Sequence, residues 1–170
     1  MEKKDDKLSF SSERDSWLEA PDEKFTSLCK LDFFKASGNG GQKRNKCSTA
    51  VRITHLPSGI SATSCNTRSQ HQNRSDAIRK LKEQIALNVR SESFKAVENI
   101  GMSLSNPDYP QWIASVFDVL FLHSFSLKDA AAEFNISSSK LQKLIARDPM
   151  LWQELNRLRQ ANGLPPLRQC

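Results

Sequence analysis

A run of glycines directly before a glutamine is the feature of this sequence that most strongly suggests chemistry. Gly38, Gly40 and Gly41 fall within four positions, and Gln42 follows them. Glycine reaches backbone angles that are costly for other residues, so this spacing excludes regular structure and aims the next backbone N–H groups outward. A backbone N–H held beside an ester under attack stabilises the charge that develops on its oxygens. The segment therefore predicts a loop that presents a backbone donor able to stabilise such charge. The chain shows no convincing pair of nucleophile and base.

Two further blocks follow this segment. The first reads Ser-Thr-Ala-Val-Arg-Ile-Thr-His-Leu-Pro-Ser-Gly-Ile over residues 48–60, and the second reads Arg-Ser-Gln-His-Gln-Asn-Arg over residues 68–74. Together with Ser-Gly-Asn-Gly-Gly-Gln at 37–42, they resemble the catalytic domain of class I peptide chain release factors. Three ordered blocks with matching gaps are far more specific than Gly-Gly-Gln alone. The resemblance covers about residues 31–85, a third of the chain.

The resemblance implies that this protein hydrolyses the peptidyl-tRNA ester on the ribosome, with Gly40, Gly41 and Gln42 as the catalytic residues. The backbone N–H of Gln42 would contact the leaving 3′-oxygen, while its side chain would admit water and exclude larger nucleophiles. Ribosomal RNA would supply most of the site, so no cofactor and no metal are expected. The expected partners are large-subunit ribosomal RNA and peptidyl-tRNA, and a glutamine N5-methyltransferase acting on Gln42 is a further candidate. The protein is expected to be a monomer.

The basic residues near these blocks acquire a role from the same resemblance. Cations beside the catalytic loop would meet phosphates of ribosomal or transfer RNA, and the polar residues among them would supply contacts or order the loop. For Arg52, exposure on a strand without any RNA role is an equally good interpretation. The predicted RNA-binding residues are Ser37, Lys43, Arg44, Asn45, Lys46, Arg52, Arg68, Ser69, Gln70, Asn73 and Arg74.

The charge distribution points to a polyanionic partner independently of any motif. Residues 1–32 hold six basic and nine acidic residues, residues 33–82 hold ten basic residues and one acid, and residues 83–170 hold nine of each. All of the excess positive charge therefore lies in one block of fifty residues. Because a solvated surface usually mixes signs, this block favours nucleic acid over a membrane as the partner.

Composition excludes several other classes of protein. No apolar run approaches the length of a membrane helix, and the N-terminus lacks the apolar stretch of a signal peptide. The four cysteines form no C-x-x-C pair, so neither a disulfide scaffold nor a zinc ribbon is indicated. Cys47, Cys65, His55 and His71 fit no common zinc pattern, and His55 is more readily structural than catalytic. A reducing cytoplasmic location is expected.

The elements that must position the loop suggest an α+β fold. A mobile charged arm is predicted over residues 1–24, with a short helix around Trp17. The catalytic domain at 25–101 should combine a small antiparallel or mixed sheet, a packed helix and a disordered Gly-Gly-Gln loop. Strands are predicted at 29–34, 50–55 and 60–65, and the helix runs from a cap at Ser75 to about residue 90.

A Pro-containing break at 103–107 separates this domain from a helical module at 107–170. The pattern predicts a buried helix at 112–125, then two short helices at 127–134 and 138–147 with the spacing of a helix-turn-helix. The last helix should start with Asp148 as cap and Pro149 at its first position, and end at Gly163. Because this module is neutral overall, shape-specific or protein contacts are favoured there over RNA.

The subtype is expected to be a codon-independent rescue hydrolase for stalled ribosomes. Only 39 residues precede Gly40, and neither a P-x-T nor an S-P-F tripeptide, such as codon-reading factors use, occurs. The Lys/Arg-rich tail common in rescue hydrolases is also missing, which leaves open how a stalled ribosome would be sensed. Two alternatives remain: a ribosome- or RNA-binding factor without catalysis, and a DNA-binding regulator built on the helix-turn-helix.

Overall fold

The computed structural model describes residues 9–35, 49–91, 97 and 100–168. The chain divides into two compact units, Met1–Val89 and Arg90–Cys170. The elements, in chain order, are β1 (Ser9–Phe10), α1 (Arg14–Glu19), α2 (Asp22–Ser27), β2 (Cys29–Phe34), β3 (Ala50–His55), β4 (Ser61–Ser64), α3 (Gln70–Asn88), β5 (Val89–Arg90), α4 (Tyr109–Leu122), α5 (Leu127–Glu133), α6 (Ser138–Ala146) and α7 (Pro149–Ala161). The mixed α+β class is confirmed. Among the helices so described, none is both long and apolar enough to cross a membrane.

The first unit is built on an antiparallel sheet in the order β2-β3-β4. In β3 the alternation of apolar and polar residues places Val51 and Ile53 in the core, while Arg52 is exposed. The predicted hairpin joins β3 to β4, and Gly59 closes it at a φ of +70° that favours glycine. α3 packs Ile78 and other apolar residues against this sheet.

The start of α3 differs from the sequence prediction. Ser69 caps the helix, because its Oγ accepts a hydrogen bond from the N–H of Gln72 at 3.3 Å. Ser75, the predicted cap, lies inside the helix and is exposed. The turn added at the N-terminus carries Asn73 into the interior, where hydrogen bonds compensate for its burial. The buried Asn73, which lies outside the apolar pattern, thus belongs to an additional N-terminal turn of α3.

The predicted mobile arm is also corrected, because residues 9–24 are folded; residues 1–8 lie outside the described part. α1 buries Trp17 and Leu18, which confirms the short helix around Trp17. Arg14 is buried as well, and its guanidinium donates to the Val89 carbonyl oxygen at 3.1 Å and pairs with Asp15 at 2.6 Å. The charge of this segment suggested a solvated arm, but its cation is neutralised within the fold.

The second unit is helical over residues 109–161, apart from its turns. Positive φ values at Ser124 and Phe125 follow the end of α4, which stops three residues before the predicted boundary. α5 and α6 pack together around a turn in which Asn135 has a φ of +52°, close to the predicted helix-turn-helix spacing. α7 begins as predicted: Asp148 Oδ1 accepts from the N–H of Met150 at 2.9 Å.

Candidate functional site

The segment that contains the Gly-Gly-Gln motif connects two adjacent strands. Phe34, the last residue of β2, is paired with Ala50, the first residue of β3. Paired residues of an antiparallel ladder lie about 5 Å apart, so the two strands bring the ends of the segment close together. Residues 36–48 lie outside the described residues, and with them lie the predicted site residues Ser37, Gly40, Gly41, Gln42, Lys43, Arg44, Asn45 and Lys46.

Asn73 fixes the point at which this segment rejoins the sheet. Its side chain is fully buried, and Nδ2 donates to the carbonyl oxygens of Thr49 at 2.8 Å and Thr67 at 2.9 Å. Its Oδ1 accepts from the Thr67 N–H at 2.9 Å and lies 3.2 Å from the Thr67 hydroxyl. The amide therefore uses both donors and its acceptor inside the fold. It orders the end of the loop, and we do not propose it as an RNA contact.

The neighbouring polar residues shape the turn that leads into α3. The Thr67 hydroxyl lies 3.1 Å from the Ser69 carbonyl oxygen, and the Ser69 N–H donates to this hydroxyl at 3.1 Å. With its cap on Gln72, Ser69 is therefore engaged locally on both its backbone and its side chain. The block at 68–74 thus folds as a capped turn that carries Asn73 inward.

The arginine side chains of the same block are exposed to solvent, unlike the buried Asn73. Arg68 and Arg74 are exposed at the start of α3, on either side of the buried Asn73. Arg52 is exposed on β3 and lies with its guanidinium 5.3 Å from the centre of the Phe34 ring. A guanidinium over an aromatic face keeps its N–H groups available for a phosphate. Packing against Phe34 therefore orients the Arg52 cation near the point where β2 and β3 adjoin the 36–48 segment.

His55 is a structural residue at the far end of β3. Its ring is fully buried, stacked on Phe25 at 5.4 Å and edge-on to Trp17 at 4.6 Å between ring centres. Nδ1 lies 2.9 Å from Ser58 Oγ, and Nε2 has no hydrogen-bond partner among the described residues. Burial lowers the pKa of His55, so the ring is neutral at physiological pH. A buried imidazole of this kind ties α1 and α2 to the hairpin.

Cys29 shows no nucleophilic character. Cys29 is half-buried, its Sγ lies 3.3 Å from the Phe25 carbonyl oxygen, and burial raises the pKa of its thiol to about 11. A thiol with a raised pKa carries little of the reactive thiolate at neutral pH. Within the described ranges, no group of three or more His, Cys, Asp or Glu side chains is arranged to hold a metal ion.

Comparison with known proteins identifies the domain that surrounds this geometry. Residues 25–103 match the family model of the RF-1 domain. Residues 25–103 are therefore similar to the RF-1 domain, the catalytic domain of the class I release factors. The sheet, α3 and the Asn73 contacts all fall within the matched residues.

The similar proteins are peptide chain release factors. The chain is 45% identical over 78 residues to peptide chain release factor 2 of Neorickettsia sennetsu, covering 44% of this chain and 21% of that protein. It is 48% identical over 67 residues to peptide chain release factor 1 of Xylella fastidiosa, covering 39% and 19%. It is 30% identical over 145 residues to peptide chain release factor 1 of Aliarcobacter butzleri, covering 79% and 39%. The chain thus spans between about a fifth and two fifths of the length of these relatives.

Proposed function

We propose that this protein hydrolyses the ester between the nascent peptide and tRNA in the peptidyl transferase centre of the ribosome. The observation that carries the proposal is the RF-1 domain match, which includes Gly40, Gly41 and Gln42. The backbone N–H of Gln42 would stabilise charge on the departing 3′-oxygen, and the two glycines would permit the backbone conformation that aims it. Ribosomal RNA would supply the remainder of the site.

The described residues support a site whose chemistry comes from the backbone. Both ends of the 36–48 segment are tied to rigid elements, at the Phe34–Ala50 pair and at the Asn73 bonds to Thr49. The residues that flank the segment on both sides are therefore fixed by the sheet and by α3. The buried His55 and the protonated thiol of Cys29 offer no competing side-chain nucleophile or base.

The exposed arginines would position the domain on the ribosome. Arg52, Arg68 and Arg74 are exposed near the two ends of the segment or at the start of α3. Guanidinium groups bind phosphates in a planar, bidentate geometry, and such contacts fix orientation without reading sequence. We assign these three residues to phosphates of ribosomal RNA or tRNA.

We further propose that release is independent of a stop codon. The 170 residues contain neither of the tripeptides with which codon-reading factors recognise a stop codon, and the second unit is instead helical from 109 to 161, apart from its turns. A factor of this type would act on ribosomes that stall without a codon in the decoding site. Its physiological role would be the rescue of those ribosomes.

Release of labelled peptide tests both proposals. Ribosomes stalled on messenger truncated at the P site are compared with ribosomes that hold a stop codon or a sense codon in the A site. Release from the truncated complex, with no extra release at the stop codon, is the expected result. Release that requires the stop codon would overturn the rescue role, and absence of release from every complex would overturn the hydrolase itself.

A further inference from the structure

Helix α6 carries three basic side chains on one face. Lys140 and Lys143 lie within the helix, and Arg147 follows its last turn with helical backbone angles. Their spacing of three and then four residues places them on the same side of the helix. All three are exposed, whereas Leu141 and Ile145 on the opposite side are buried in the unit. We call these three residues the basic face of α6.

No carboxylate on α6 balances this face, since no acidic residue occurs between Phe134 and Arg147. Several acids elsewhere in the unit are held by partners of their own. These pairs are Asp118 with Arg90 at 3.1 Å, Glu154 with Arg157 at 2.6 Å, Glu133 with His123 at 3.1 Å, and Asp148 with the Tyr109 hydroxyl at 3.1 Å. The near-neutral total charge of the unit therefore conceals an exposed cationic surface on α6, where three basic side chains occur with no carboxylate on the same helix.

The fold presents this surface in a fixed orientation. Ser137 caps α6 by accepting from the N–H of Lys140 at 3.2 Å, and the α5–α6 turn sets the direction of the helix. At the other end, the Arg147 guanidinium donates to the Met102 carbonyl oxygen at 2.6 Å. From Lys140 to Arg147 the helix rises about 10 Å. A row of cations held over this distance can contact several phosphates of one strand at once.

We propose that the basic face of α6 is a second nucleic-acid surface, which binds RNA phosphates of the ribosome. The inference rests on the proposed function, because the ribosome is the polyanion that a peptidyl-tRNA hydrolase meets. The composition of the face also favours RNA over a protein partner. Lysine is depleted in protein interfaces, and no aromatic side chain accompanies these cations on α6. The neutral net charge of the module suggested protein contacts, but the clustering of three cations on one face of α6 favours RNA.

The test is the salt dependence of ribosome binding by the full chain, measured by co-sedimentation. The variant is K140Q together with K143Q, and the matched control is K128Q, which removes an exposed lysine from α5 in the same unit. Removal of two lysine–phosphate pairs should lower the slope of log affinity against log salt by between about 1.4 and 1.8. The control should keep the wild-type slope. Because Lys140 and Lys143 are exposed, both variants should unfold at the wild-type urea midpoint.

Three results would overturn the inference. The first is a double variant with the slope of the wild type. The second is weaker binding at an unchanged slope, which would indicate a protein contact. The third is a slope that changes on duplex DNA but not on ribosomes. Co-sedimentation requires no turnover, so it tests the basic face separately from the hydrolase. A wild-type protein that binds ribosomes without releasing peptide would refute the proposed hydrolase. The salt dependence of binding by the double variant would still test the basic face.

Discussion

Replacing Asn73 by alanine should destabilise the first unit by about 2–3 kcal/mol. The substitution removes hydrogen bonds to three backbone groups, namely the carbonyl oxygens of Thr49 and Thr67 and the Thr67 N–H. Each bond contributes about 1 kcal/mol net, and a buried group left without a partner costs somewhat more. Thr49 and Thr67 are only half-buried, so water can form hydrogen bonds with some of the backbone groups that lose their partner. The total loss of stability therefore stays near the sum of the three hydrogen bonds. Urea denaturation followed by circular dichroism measures the change.

Two companion variants test whether the loss comes from the Nδ2 donor of Asn73. One keeps the volume of the side chain, and the other is a control at a neighbouring site. Asn73→Asp keeps an acceptor for the Thr67 N–H but turns an oxygen towards the carbonyls of Thr49 and Thr67, so we expect it to be at least as destabilising at neutral pH. Gln72→Ala, at an exposed site one residue earlier, should change stability by less than about 0.5 kcal/mol. An Asn73→Ala protein as stable as Gln72→Ala would refute the assignment of Asn73 as the residue that holds the end of the loop.

Two further predictions concern the surface and the interior of the same unit. Replacing Arg68 and Arg74 together by alanine should weaken ribosome binding and lower the slope of log affinity against log salt by about one to two. Each arginine–phosphate contact that is lost reduces the number of counterions released from the RNA on binding. An unchanged slope would assign these arginines to another role. For His55, the lowered pKa in the folded state means that the unfolded chain binds the proton first as pH falls below about 6.5. Its contribution to the free energy of unfolding should therefore be constant above that pH and decline below it, by at most about 1.4 kcal/mol per unit. Urea titrations between pH 5 and 8 check this, and a His55→Asn variant should have a flatter profile; identical profiles would contradict it.

The strands and most of the helices could be predicted because their patterns are local. In β3 the apolar residues alternate, and at Asp148 and Pro149 a cap and a first-turn proline stand side by side. The N-terminal segment gave no such signal. Its burial depends on Arg14 reaching the Val89 carbonyl and on Trp17 packing against His55, contacts between residues far apart in the chain.

The sequence groups the candidate site residues near Asn73 but does not distinguish the buried side chain among them from the exposed ones. The block at 68–74 identified Asn73 and its flanking arginines together, since the sequence groups them. Only the fold distinguishes the side chain that turns inward to Thr49 from Arg68 and Arg74, which remain exposed. In the second unit, the net charge favoured shape-specific or protein contacts over RNA, but it carries no information on where the charges lie. The pairing of acids such as Asp118 with Arg90 is invisible to a sum of charges.

Single-turnover release at saturating protein tests most directly whether the Gly-Gly-Gln segment releases peptide through a backbone donor. Gly41→Ala adds a side chain where a positive φ is expected, which costs at least about 1 kcal/mol in the active conformation. We expect severe loss of release with ribosome binding retained. Gln42→Ala keeps its backbone N–H and should retain slower, less selective release. Near-normal release by Gly41→Ala on ribosomes stalled with truncated messenger would contradict the account.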